Sequence, residues 1–163
     1  MKHGNQVEWA LHSVATLAAL GPDKRLSATA LAEMFEVPPK YLAKALQALS
    51  AAGIVASTPG PKGGYALAKS PGEIAVLDVI DAVQGDERIF RCQEIRRRGP
   101  CRKIAAREFS KSCQIADVMW RAESAWRREL SSVTFADLGK QVRRELSPVI
   151  LNVVGSWVAE KAT

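Results

Sequence analysis

Between Ser27 and Leu67 the chain places two short helical patterns either side of a tight break and follows them at once with a glycine-rich connection. Few folds accept that succession. Ser27 is an N-cap residue for a helix running to Phe35, with Leu31, Ala32 and Met34 turned inward. The pattern breaks at Glu36-Val37. Pro38-Pro39 then opens another helix, because a proline in the first helical turn removes an N–H that has no helical partner there. Leu42, Ala45, Leu46 and Leu49 form its apolar stripe, Lys40, Lys44 and Gln47 fall opposite, and Gly53 ends it. Ile54-Val55-Ala56 and Tyr65-Ala66-Leu67 read as two short strands joined through Pro59-Gly60-Pro61-Lys62-Gly63-Gly64, a hairpin. The expected fold class is mainly α with a small β-hairpin wing: a winged helix-turn-helix, followed by a long dimerisation helix. A generic three-helix bundle with a hairpin is the competing reading.

The flanking segments extend this frame. Val7, Leu11, Val14, Ala15 and Ala18 recur at helical spacing from Val7 to Leu20, and Gly21-Pro22 stops them. Another helical segment runs from Val76 to Val83 and closes at Gly85. Ile115, Val118, Met119, Ala122, Ala125, Trp126 and Leu130 space out a longer helix, whose aromatic content on one side suggests a protein partner or a second subunit. A last apolar helix spans roughly Pro148 to Ala159. We therefore divide the chain into a DNA-binding domain over 1–85, a cysteine-bearing loop over 86–114 and dimerisation helices over 115–163. A chain of 163 residues leaves little room for a separate substrate domain. The apolar run near the end is interrupted by Asn152, Gly155 and Ser156, so no membrane span is expected. Nor do the first residues read as a signal peptide, which points to the cytoplasm.

Charge is distributed unevenly. Of the net +6, residues 1–85 contribute nothing, with seven basic and seven acidic side chains, and residues 86–113 contribute +5, with nine basic and four acidic. On the second helix of the helix-turn-helix, Lys40 and Lys44 are placed to meet phosphates and Tyr41 and Gln47 to meet backbone or base edges, while Lys62 sits at the hairpin tip. No helix start follows Gly63-Gly64, so these glycines serve the hairpin and not a nucleotide. The basic segment also holds all three cysteines, Cys92, Cys101 and Cys113, separated by eight and eleven residues. That spacing is not that of a zinc ribbon, and surrounding arginines favour thiolates, so metal ligation and redox reactivity are both open. Three cysteines do not fill the four positions of a two-iron cluster. Glu8 and His12, one turn apart on one face of the first helix, carry donor groups able to ligate iron.

With these residues in view, the sequence resembles the Rrf2 family of winged-helix repressors, which includes bacterial sensors of iron-sulfur supply, iron, nitric oxide and redox state. The resemblance covers nearly the whole chain. It is carried by Val7-Glu8-Trp9-Ala10-Leu11, Val37-Pro38-Pro39-Lys40-Tyr41-Leu42, Gly60-Pro61-Lys62-Gly63-Gly64-Tyr65, Leu77-Asp78-Val79-Ile80 and the three cysteines before the long helix. It implies a homodimer that binds an operator in double-stranded DNA, with each cluster between the cysteine loop of one subunit and the first helix of the other. Cys92 and Cys113 match the first and last family cysteines, although the interval between them is longer than usual. The histidine that common members place after the last cysteine is replaced here by Gln114, Ile115 and Ala116. The sequence is most similar to a redox-sensing branch that uses two cysteines with Glu and His of the first helix. The resemblance thus implies a 2Fe-2S cluster on Glu8, His12, Cys92 and Cys113, with Cys101 as the alternative ligand.

The expectation is a DNA-binding regulator, a repressor whose operator affinity follows redox or nitrosative state, and not an enzyme. Two alternatives stand beside it. One is a cluster-free family member that senses oxidants through its thiols. The other is a small electron-transfer or oxidoreductase protein, for which the chain offers no nucleophile motif and only two histidines.

Overall fold

The computed structural model describes residues 4–60 and 63–163. It contains helices α1 (Asn5–Leu20), α2 (Ala28–Met34), α3 (Pro39–Ala51), α4 (Val76–Gln84), α5 (Gln114–Ser132), α6 (Phe135–Glu145) and α7 (Pro148–Lys161), and strands β1 (Val55–Thr58) and β2 (Gly64–Leu67). The chain forms two compact units: residues 1–85 together with 130–163, and residues 86–129. No helix among the described residues is long and apolar enough to cross a membrane.

In the first unit the expected helix-turn-helix is present. The Ser27 hydroxyl accepts a hydrogen bond from the Ala30 N–H at 3.0 Å and starts α2, where Leu31 and Ala32 are buried and Met34 is half-buried. The break that follows turns on Glu36, at a φ of 50°, and the Val37 N–H returns to the Ala32 carbonyl. A left-handed residue at this point reverses the chain in the fewest steps, at some steric cost for a side chain other than glycine. Pro39 opens α3, and Leu42, Ala45, Leu46 and Leu49 are all buried. Against them pack Ala10, Val14 and Leu17 of α1 and Val79 of α4. The period of these apolar positions puts them on one helical stripe each, so three stripes close on one core.

The hairpin pairs Val55 with Leu67 and Ser57 with Tyr65 in antiparallel register, and Tyr65 also bridges to Leu26. Its glycines are dictated by space: a Cβ on Gly64 would lie 2.7 Å from the Leu26 carbonyl oxygen, and one on Gly63 would lie 2.1 Å from that of Thr58. Only a residue without a side chain lets the returning strand approach this closely.

In chain order helix α6 comes between the long helix and the last apolar helix expected from the sequence, where no separate element is expected. Thr134 accepts from the Asp137 N–H, and the Asp137 carboxylate reaches back to Thr134, a reciprocal cap that starts the helix. Thr134 holds the Asp137 carboxyl below the usual carboxylate range, with Lys140 adding to the effect. Phe135 directly follows the cap, is 2% exposed, and packs into the core of the first unit. Thr134→Ala is expected to lower stability by about 1 kcal/mol, read as a reduced urea midpoint at unchanged slope. The end of α7 belongs to the same unit: Trp157 and Val158 pack on the core, Thr163 and Arg25 exchange backbone hydrogen bonds, and Lys161 pairs with Glu33 at 3.0 Å.

The second unit holds three 3₁₀ turns, Ile95–Arg97, Gly99–Lys103 and Ala106–Phe109, and most of α5. Gly99-Pro100, directly after Arg96-Arg97-Arg98, interrupts any longer helix there. Trp120 anchors α5 to the loop by donating from Nε1 to the Phe90 carbonyl at 3.2 Å, with the Arg88 guanidinium 4.8 Å from its ring centre. Ile115, Val118 and Met119 of α5 are exposed.

Candidate functional site

Two groups of side chains carry chemistry, one in each unit. On α3 the burial of one stripe leaves the opposite face to solvent, and Lys40, Tyr41, Lys44 and Gln47 all lie on it, Tyr41 with 57% of its surface exposed. Cations and hydrogen-bonding groups on one exposed helical face match the donors that phosphates and base edges require. Lys62 lies outside the described residues. Arg25, to which no sequence motif points, donates from Nε to the Thr58 hydroxyl at 3.0 Å and braces the outer end of β1. Above the start of α3 an open depression of about 580 Å³ is walled by Val7, Trp9, Pro38, Tyr41 and Val83. Trp9 therefore touches the same hollow as the first residues of the exposed helix.

Glu8 and His12 stand one turn apart on α1 and are both exposed, with the His12 ring 5.6 Å from that of Phe35. They belong to the first unit, and the three cysteines belong to the second. All three thiols are free and half-buried. Cys113 directly precedes α5, so the amides of Ala116 and Ile115 point at its sulfur. Those amides, Ala116 foremost, hold its thiol below the usual range, aided by the Arg96 charge and by a hydrogen bond from Cys92, against the opposing effect of burial. Cys92 thus comes close enough to act on Cys113 across twenty intervening residues. Cys101 sits in its own 3₁₀ turn and is not among the groups acting on Cys113. Among the described residues, no three His, Cys, Asp or Glu side chains gather into one metal-sized cluster.

Arg96 is the other residue that sequence reasoning missed, since in the chain it is only one charge in a run of three. Its guanidinium grips the Glu94 carboxylate at 2.5 and 2.8 Å, donates to the Lys111 carbonyl at 3.0 Å and lies 5.7 Å from the Phe109 ring centre.

Comparison with known proteins gives this geometry a context. A family model described as Rrf2, iron-dependent transcriptional regulator, matches residues 3–141. Over 162 residues the chain is 30% identical to YffB of Lactococcus lactis, named as an HTH-type transcriptional regulator, covering 98% of this chain and 99% of YffB. Among solved structures, CymR, the global cysteine regulator of B. subtilis, is similar with a TM-score of 0.67 at 22% identity, over 86% of this chain and 98% of CymR. IscR of T. potens is similar with a TM-score of 0.65, also at 22% identity, over 90% of this chain and 93% of that one. At such identity the structural likeness speaks for the fold, which is the winged-helix fold expected from residues 27–67.

Proposed function

Since the chain belongs to the Rrf2 family of transcriptional regulators, and so is a DNA-binding regulator and not an enzyme, we propose that it is a homodimeric repressor whose operator affinity is set by a 2Fe-2S cluster. The ligands are Cys92 and Cys113 of one subunit with Glu8 and His12 of the other. The observation that carries this reading is that Cys92 lies close enough to act on the Cys113 thiol, with Arg96 acting on both. A two-iron cluster takes four protein ligands, and a thiol pair is half of that set. Glu8 and His12, exposed and one turn apart, have the carboxylate and imidazole chemistry of the other half. The donors present therefore fit the group.

When bound, the cluster supplies a centre that gains or loses one electron. The chain's own residues do the rest. Cys92 and Cys113 bind as thiolates and His12 through an unprotonated ring nitrogen. The amides at the start of α5 and the Arg96 guanidinium favour negative charge on the Cys113 sulfur. Lys40 and Lys44 neutralise phosphates, Tyr41 and Gln47 reach backbone or base edges, and Lys62 meets the backbone beside the hairpin. Protein purified without oxygen is expected to be coloured, with about two irons and two sulfides per chain. A colourless protein whose thiols oxidise rapidly would replace this reading by direct thiol sensing, which the lowered pKa of Cys113 favours.

The second subunit docks on α5, around Met119, Ala122 and Trp126, where Ile115, Val118 and Met119 leave apolar surface in solvent. A dimer built this way presents two α3 helices to successive turns of one face of the duplex, and the operator is near-palindromic. Met119→Glu places an unpaired carboxylate in that interface and is expected to raise the dimer dissociation constant about thirtyfold, roughly 2 kcal/mol. An unchanged sedimentation profile on dilution would remove α5 as the interface.

A further inference from the structure

The loop between Cys92 and Cys113 has little regular structure to hold its ends together. Its 3₁₀ turns are short, and most of its residues are exposed. Yet the two thiols meet, and one side chain touches both halves of the loop. Arg96 stands four residues after Cys92 and reaches across to the backbone just before Cys113. Its Nη2 donates to the Lys111 carbonyl at 3.0 Å, and its Nη1 lies 3.5 Å from both the Ser112 carbonyl and Gln114 Oε1. On the near side it is anchored by Glu94, which sits in the left-handed region at a φ of 48° and turns its carboxylate onto the guanidinium. The Phe109 ring covers the guanidinium from a third direction. The Arg96 side chain is only 28% exposed, unlike its neighbours Arg97 and Arg98, which are exposed.

We propose that Arg96 is the positioning residue of the thiol pair: its planar fork ties the Glu94 turn to the Lys111–Ser112 backbone, holding Cys92 and Cys113 together, and its charge balances the anion they carry or bind. Several donors in one rigid plane are what an arginine provides and a lysine does not, because a lysine's single ammonium cannot meet a carboxylate and a distant carbonyl in fixed directions at once. The charge acts on both sulfurs, not only on the nearer one. With two thiolates, one carboxylate and a neutral imidazole, an oxidised two-iron, two-sulfur cluster carries one negative charge and a reduced one carries two, so a fixed cation beside it favours the reduced state. The electrostatic half of this inference rests on the cluster reading above. The positional half does not.

Both halves are tested on the full-length chain carrying Cys101→Ser. In metal-free protein held without oxygen, diamide takes up the two electrons and two protons that Cys92 and Cys113 release as they form a disulfide. The bond is followed by peptide mass spectrometry without reductant. Arg96→Gln and Arg96→Lys are both expected to form it about tenfold more slowly than the parent. Arg98→Gln, which removes an equal charge held only by a 3.1 Å contact to Gln93, should form it at the parent rate. A parent rate in Arg96→Lys would mean that charge alone suffices and would overturn the positional half. The same proteins, reconstituted with iron and sulfide, are then titrated by visible absorption. Arg96→Gln is expected to lower the ratio of reduced to oxidised cluster about tenfold at a given potential, a midpoint shift of about 59 mV for one electron, while Arg96→Lys keeps the parent value. An unchanged midpoint in Arg96→Gln would overturn the electrostatic half. A parent protein that takes up no cluster would overturn the cluster reading and the electrostatic half with it, while the disulfide rates still decide the positional half.

Discussion

Replacing Lys40 and Lys44 together by alanine is expected to weaken operator binding by two to three orders of magnitude and to flatten its salt dependence. Both lysines lie on the face of α3 that the core leaves free. Each lysine that neutralises a phosphate releases condensed counterions, worth about 1 kcal/mol at about 0.15 M salt. The proposed dimer loses four such contacts, so the slope of log affinity against log salt should fall by about 3.6. Gln47→Ala should behave differently, reducing discrimination between operator and unrelated DNA by about 1–3 kcal/mol while leaving the salt slope intact, because base edges and not phosphates are what an amide reads. Fluorescence anisotropy across a salt series separates the two outcomes. If the double lysine variant keeps both its affinity and its slope, these lysines only solvate α3, and the DNA-reading face lies elsewhere.

Glu8→Ala and His12→Ala are each expected to abolish the native cluster spectrum or reduce cluster occupancy at least about tenfold. Removing one ligand from a set of four does more than disturbing its surroundings, which alone costs about 10–100-fold in metal affinity. Each variant should also lose the difference in operator affinity between oxidised and reduced protein. The reason lies in the packing of α1. Its Val14 is buried in the core that α3 shares, and Val7 and Trp9, which flank Glu8, wall the hollow bounded by Pro38 and Tyr41. A displacement of Glu8 and His12 thus bears on the start of α3, the helix proposed to face DNA. A difference of about 1.4 kcal/mol between two dimer geometries is enough to change their ratio tenfold. Anaerobic spectra and operator affinities in both redox states provide the test. If both variants keep the native spectrum and the redox-dependent affinity, neither residue is an essential ligand. Cluster loss confined to Cys101→Ala would restore a set of three cysteines.

Much of the first unit is legible in the chain alone. Ser27, Pro39, Gly53 and Gly85 act on their own neighbours, through a cap, a missing N–H or a positive φ, and the structure puts helix ends close to where those local effects put them. The inner stripe of α3 is legible because helical spacing alone brings Leu42, Ala45, Leu46 and Leu49 to one side, and the exposed face follows as its complement. Helix α6 is harder to see. Its signal is present in the Thr134 and Asp137 capping pair and in the recurrence of Phe135, Leu138 and Val142, but the segment is short and polar between those positions. That residues 130–163 pack with residues 1–85 is not a local property at all. It depends on Phe135 finding space in a core made by segments about 55 to 125 residues earlier, and on Thr163 meeting Arg25.

The cysteine loop marks the boundary most clearly. Composition concentrates charge and thiols between residues 86 and 113, and the family resemblance singles out Cys92 and Cys113, yet spacings of eight and eleven residues correspond to no helical or strand period. Periodicity predicts contacts only where the backbone is regular; here it is a series of short turns. Which thiols meet is settled by how that irregular chain closes, through the left-handed turn at Glu94, the amides at the start of α5 and the several bonds of Arg96. The helix-turn-helix, the hairpin and the solvent-facing side of α3 are thus written in the order of the residues, because each follows from interactions within a few positions. That Cys92 comes close to Cys113, and that the three cysteines do not gather into one cluster among the described residues, emerges only on folding, because it rests on contacts between residues far apart in an aperiodic chain.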